Sequence, residues 1–245
     1  MKAFLINLDR DKDRLAAADA QLKRLGIAYE RVPAVCGADL SPAELRRSVS
    51  RRRALWANGR MYTPGQIGCA LSHNSVYRRM VEEDIPAALV MEDDVQFSDS
   101  APRIVEFVEG AVDPSLPQLV LLSDHSRGHA TELAPSDEPA RLERIGYDYC
   151  TEAYVVTLAA AQAILRVNDP MVVPCDSYPR WTKRGLIELY HAKPTTAFQN
   201  RADFESGLGY DTIWRPRGVV SHLLWGVWRL YGHTMDEIYF RLTGR

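Results

Sequence analysis

Residues Ala87-Ala88-Leu89-Val90-Met91 run directly into Glu92-Asp93-Asp94. The five apolar residues follow Ile85-Pro86 and are too few for a helix, so they read as a strand buried on both faces. Such strands belong to parallel sheets with helices packed on either side. In open sheets of that kind, ligands bind beyond the carboxyl ends of the strands, which is where the three acids fall. Adjacent carboxylates repel one another, and a divalent cation among them relieves the repulsion. An all-oxygen ligand set suits Mg2+ or Mn2+, which complete their shells with water and substrate phosphate. The bland alternative is an acidic turn in solvent.

The same alternation extends in both directions. Upstream, Lys2-Ala3-Phe4-Leu5-Ile6-Asn7-Leu8 reads as a first strand ending at Asp9. Leu15, Ala18, Leu22 and Leu25 then recur at helical spacing before Gly26. Residues 28–33 give a second strand. Thr63-Pro64-Gly65-Gln66 has an N-cap, a proline at the first helical position and a capping-box glutamine, which predicts a helix from Pro64 to about Glu83. Downstream come a helix near 101–111, a strand from Gln118 to Ser123, and a polar loop over 124–140. A strand from Tyr147 to Thr157, a helix from Ala159 to Val167 and a last strand at 186–190 complete the pattern. The fold class expected is α/β, a mostly parallel twisted sheet flanked by helices, over 1–200. A helical extension is expected over 201–245.

Composition sets the outer limits. The 245 residues are 46% hydrophobic and 25% charged, enough to build a sizeable core. Thirty basic against 32 acidic residues leave a net charge of −2, so no nucleic-acid partner is expected. Cys36, Cys69, Cys150 and Cys175 form no CxxC pair and read as buried free thiols of a reducing compartment. The first strand meets charge too soon to be a signal peptide, and no run of about 18 apolar residues predicts a membrane span. A cytoplasmic location is expected. Two segments depart from the average. Residues 45–62 hold Arg46, Arg47, Arg51, Arg52, Arg53 and Arg60 with no acid, either a solvated face or an electropositive flap over an anionic ligand or lipid. From Ile213 to Tyr231, Trp214, Trp225, Trp228 and Tyr231 mix with Arg215, Arg217 and Arg229. That suits either a helix packed on the core or a membrane interface.

Five ordered segments resemble the family-25 glycosyltransferases of bacterial lipooligosaccharide synthesis, which are similar to the collagen galactosyltransferases. They are Ile6-Asn7-Leu8-Asp9-Arg10 with Arg14, Thr63 to His73, Met91-Glu92-Asp93-Asp94-Val95, Ala153-Tyr154 with its Ala-rich helix, and Pro174-Cys175-Asp176. Gln66 replaces the family's Glu, and Cys150 stands where Gly is common. The resemblance spans about residues 2–199. It implies a GT-A-like fold, a UDP-sugar donor (usually UDP-galactose), inversion at the anomeric carbon, and Mn2+ or Mg2+ at Glu92 and Asp94. A glycan or lipid-linked glycan acceptor follows from the same likeness.

The resemblance directs Asn7, Asp9, Arg10, Arg14, His73, Glu92 and Asp93 to the nucleotide sugar. The alternative for Arg14 is a surface ion pair with Asp11 or Asp13, and His73 equally suits a structural role. An inverting transfer needs a general base at the acceptor hydroxyl. Asp176 is the first candidate, Asp124 the second and Glu152 the third. Asp176 capping a helix from Ser177 is the structural alternative. His191 or His222 is available to complete a metal shell. Two other functions compete. A metal-dependent phosphoester hydrolase needs a second ligand cluster, for which Asp124-His125 is the candidate. A non-enzymatic module for anionic membranes leaves the three acids unexplained.

Overall fold

The computed structural model describes residues 1–125, 137–149, 151–199 and 219–244, with only the helical backbone over 219–225 and 228–230. Cys150, Trp214, Arg215 and Arg217 lie outside these residues, as do the side chains of His222, Trp225, Trp228 and Arg229. Nine strands and eight helices alternate among the described residues. The main sheet joins β1 (Lys2–Asn7), β2 (Glu30–Pro33), β3 (Ala87–Glu92), β5 (Gln118–Leu121), β6 (Arg141–Ile145), β7 (Ala153–Thr157) and β8 (Glu188–Lys193). Their spatial order is β2-β1-β3-β7-β5-β8-β6, and only β7 and β6 run against the other five. This is the mostly parallel α/β architecture expected. A two-stranded ladder pairs β4 (Val95–Phe97) with β9 (Ala197–Gln199) beside it.

Strand alternation sorts the core into two layers. Phe4, Ile6, Ala88, Val90, Tyr154 and Val156 face α4 (Pro64–Glu82), α6 (Leu158–Asn168) and α7 (Tyr178–Lys183). Ala3, Leu5, Leu89, Met91, Ala153 and Val155 face α1 (Lys12–Arg24) and α5 (Ala101–Ala111). Both faces of β3 are therefore covered, which is why its sequence is continuously apolar. α4 begins with the full capping box, Thr63 and Gln66 each bonding the other's backbone amide. It also passes unusually close to the loop after β2. A Cβ on Gly68 would stand 2.4 Å from the Val35 carbonyl oxygen and 2.7 Å from the Gly37 nitrogen.

The structure departs from the sequence reading in two places and gives the Arg-rich stretch its helices. The strand expected over 147–157 is confined to Ala153–Thr157, and β6 precedes it as a separate edge strand paired only with β8. The Arg-rich stretch forms two short helices, α2 (Pro42–Ser48) and α3 (Arg51–Asn58). The cysteines described are free, but only Cys175 is buried, and Cys36 and Cys69 are half-buried.

The final helix, α8 (Val219–Thr243), packs on α3 and α7. The Gly232 Cα lies where a Cβ would meet the Trp56 carbonyl oxygen at 2.6 Å. Buried Asp236 is bound by Arg180 and Arg184, and the Arg53 and Arg184 guanidinium groups lie over the Tyr239 and Phe240 rings. No helix among the described residues is long and apolar enough to cross a membrane.

Candidate active site

The carboxyl ends of β1, β3 and β5 share one edge of the sheet, so side chains distant in sequence converge there. Asp93 and Asp94 form the turn between β3 and β4, and both are buried. Arg14, in the first turn of α1, places Nη2 2.9 Å from Asp93 Oδ1 and 2.8 Å from Asp94 Oδ2. Asn7 Nδ2 donates to Asp93 Oδ2 at 2.7 Å, and Gln199 Nε2 donates to Asp94 Oδ2 at 2.9 Å. Burial raises the Asp93 carboxyl. Burial and the neighbouring Glu92 charge push Asp94 up to about 7. Asp94 Oδ1 is buried with no hydrogen-bond partner among the described residues. An all-oxygen donor set with an unpartnered carboxylate oxygen fits a hard divalent cation.

Glu92 behaves differently. Burial opposes its ionisation, but His73, Thr151 and Arg14 outweigh that and hold it below the ordinary carboxylate range. Its Oε1 accepts from His73 Nε2 at 3.3 Å and from the Thr151 hydroxyl. With Nε2–H donating, a neutral His73 ring accepts at Nδ1 from the Tyr154 hydroxyl at 2.7 Å. Tyr154 in turn meets the Tyr77 hydroxyl at 2.7 Å. Burial works against protonating His73, but Cys175, Glu92 and Asp176 raise its proton affinity overall. Cys69 and Cys175 bring their sulfurs to 3.3 Å at the same wall. Asp176 lies half-buried in the turn before α7. The N-cap position of α7 is Ser177, so Asp176 stands one residue before it.

A second cluster lies at the β5–β8 side. His191 Nε2 is 2.5 Å from Asp148 Oδ2, and its Nδ1 is 3.7 Å from Asp124 Oδ2. The Lys193 ammonium is seated on Asp124, and the ligand atoms of Asp124, Asp148 and His191 lie within 4.8 Å of one another. His125 pairs with buried Glu152, whose backbone carbonyl accepts from Glu92 N at 2.9 Å. His191 therefore belongs to this cluster rather than to the Asp94 turn.

The structure thus gathers Asn7, Arg14, His73, Glu92, Asp93 and Asp94. Two expected contacts lie at the rim instead. Asp9 is exposed and paired with Arg31, and Arg10 is exposed with Nη1 3.5 Å from Cys36 Sγ. Arg14 corrects its surface-pair reading, because its carboxylate partners are Asp93 and Asp94 rather than Asp11 or Asp13. The residues that sequence reasoning missed are Thr151, Gln199 and Asp148. Gln199 reaches Asp94 only because β9 pairs with β4, a ladder no local pattern announces. Thr151 follows Cys150 at the start of the Ala153-Tyr154 motif, and that motif was its one available signal.

The family model described as glycosyltransferase family 25 (LPS biosynthesis protein) matches residues 1–178. A "Glycosyltransferase 25 family member" of Drosophila melanogaster is 29% identical over 234 residues, covering 86% of this chain and 37% of the relative. Human "Procollagen galactosyltransferase 2" is 28% identical over 203 residues, 80% of this chain and 31% of that protein. Human "Inactive glycosyltransferase 25 family member 3" is 30% identical over 184 residues, 72% and 31%. The chain spans about a third of the length of the curated relatives it matches.

Proposed function

Because the chain belongs to glycosyltransferase family 25, we propose that it transfers a sugar, galactose first, from a UDP-sugar to a bacterial lipopolysaccharide, lipooligosaccharide or other surface glycan. The transfer proceeds with inversion and uses Mn2+ or Mg2+. The observation that carries this is the buried Asp94 carboxylate, raised to about 7 and without a partner at Oδ1 among the described residues, at the carboxyl edge of the sheet. A cation there supplies charge neutralisation to a diphosphate leaving group.

The chain's own residues do the rest. Asp94 and Glu92 hold the cation. Asn7 and Arg14 fix Asp93 and set the turn, with Asp93 and Asn7 facing the donor. His73 orients Glu92 through Nε2 and is itself held by Tyr154. Asp9 and Arg10 at the rim reach the nucleoside and phosphates. Asp176 accepts the proton of the acceptor hydroxyl as it attacks. Asp124 ranks after it because Lys193 already engages that carboxylate.

The site of work we propose is the inner face of the cytoplasmic membrane, where a lipid-linked acceptor is presented. Val227, Tyr231, Ile238 and Leu242 are exposed at positions that share one face of α8, a stripe suited to a lipid interface. Titration of UDP-galactose and UDP-glucose with and without Mn2+, on wild type and Asp94→Ala, tests the donor reading. Metal-dependent binding that the variant loses is expected. A folded protein that binds neither donor refutes it.

A further inference from the structure

α2, α3 and the start of α4 line an open-mouthed cavity of about 320 Å³. Its walls are apolar, with Leu45, Val49, Tyr62 and Ile67 among them, and Arg46 and Arg51 stand at it. Both arginines are exposed, and no ion pair with a described acidic side chain engages either. Arg47 and Arg52 are exposed on the same two short helices. An apolar chamber beside guanidinium groups that meet no described acid is matched by one kind of ligand, an anion carrying an apolar chain. A chamber of this size takes a short alkyl segment.

The chamber abuts the site described above. Burial raises the Tyr62 hydroxyl well beyond its ordinary range, and Asp176 and Arg180 lie close enough to act on it. Ile67 precedes Cys69 and His73 on α4. Tyr62 therefore links the wall of the chamber to the surroundings of Asp176, the group assigned to the acceptor hydroxyl.

We propose that this cavity is the acceptor's lipid subsite, taking the chain of a lipid-linked phosphate while Arg46 and Arg51 hold the phosphate. The assignment rests on the transferase reading for its purpose, but not for its test. Decyl phosphate, inorganic phosphate and decyl maltoside are each titrated calorimetrically into the full chain, with UDP-galactose and Mn2+ measured on the same samples.

Decyl phosphate is expected to bind at least tenfold more tightly than either control. The Arg46→Ala/Arg51→Ala variant should lose tenfold or more of that affinity, as should Leu45→Trp, which fills the chamber. UDP-galactose binding should stay at the wild-type value in the arginine variant. Decyl phosphate binding no better than phosphate removes the chain from the cavity, and binding no better than decyl maltoside removes the arginines. Wild-type affinity in the arginine variant overturns the assignment outright. Loss of UDP-galactose binding alone, with decyl phosphate binding intact, counts against the donor reading and not against the subsite.

Discussion

Asp94→Asn should make the metal-free protein more stable at pH 8 while abolishing its donor binding. In the folded chain Asp94 holds its proton to about pH 7, against an ordinary value of 3.8. The unfolded chain gives that proton up earlier, so the folded state binds more protons between these values. Stability contributed by Asp94 is then full below about pH 4 and is lost as pH rises to about 7. At about 1.4 kcal/mol per pH unit, the full loss is about 4 kcal/mol. Glu92 and Asp94 titrate as a pair, and sharing the cost leaves about 2 kcal/mol for the single substitution. Asparagine keeps an oxygen for Gln199 and Arg14 but never ionises. Urea unfolding from pH 4.5 to 8 should show the variant pulling ahead with rising pH, by about 2 kcal/mol at the top. Mn2+ at 100-fold its dissociation constant should add about 2.7 kcal/mol to wild type only and close or reverse the gap. A variant no more stable than wild type at pH 8 without metal, or a gap that ignores pH, refutes the reasoning.

Arg14→Met should cost about 3–5 kcal/mol in urea unfolding, because it strips the cation from two buried carboxylates, and Mn2+ should restore part of the loss. Gly68→Ala should lower the melting temperature by up to about 8 °C, because the new Cβ meets the Val35 carbonyl at 2.4 Å. The strain of up to about 3 kcal/mol is offset in part by a helix-propensity gain of about 1 kcal/mol. Asp236→Ala leaves Arg180 and Arg184 without their buried partner. Amide exchange should then rise along α8 and α3 while the amides of β1 and β3 keep their protection.

What could be read from the sequence was whatever sits within one element. The apolar run of β3 and its three acids, the capping box at Thr63 and the α1 spacing are local patterns, and each reappears in the fold. What could not be read needed tertiary pairing. Arg14 has acids at Asp11 and Asp13 within reach along the chain, yet β1 and β3 lie side by side and bring Asp93 and Asp94 to it instead. β6 is an edge strand reading Arg-Leu-Glu-Arg-Ile, whose polar positions face solvent and resemble a loop. The pairing of Asp124, Asp148 and His191 depends on the β5–β8 ladder, which joins strands far apart in sequence. Asp176 was singled out by its motif alone, and the structure adds its closeness to His73 and Tyr62.

The seating of α8 on α3 also sets an order of assembly. Trp56 and Gly232 stand at opposite ends of the sequence, yet one backbone rests on the other. During synthesis α3 leaves the ribosome long before the helix that covers it. Until then the face of α3 that carries Arg53 and Trp56 is uncovered. A chain truncated after residue 199 and released should therefore carry a formed sheet and a loose α3. Pulse proteolysis of that truncated chain should cut between α2 and α3, where the full chain resists.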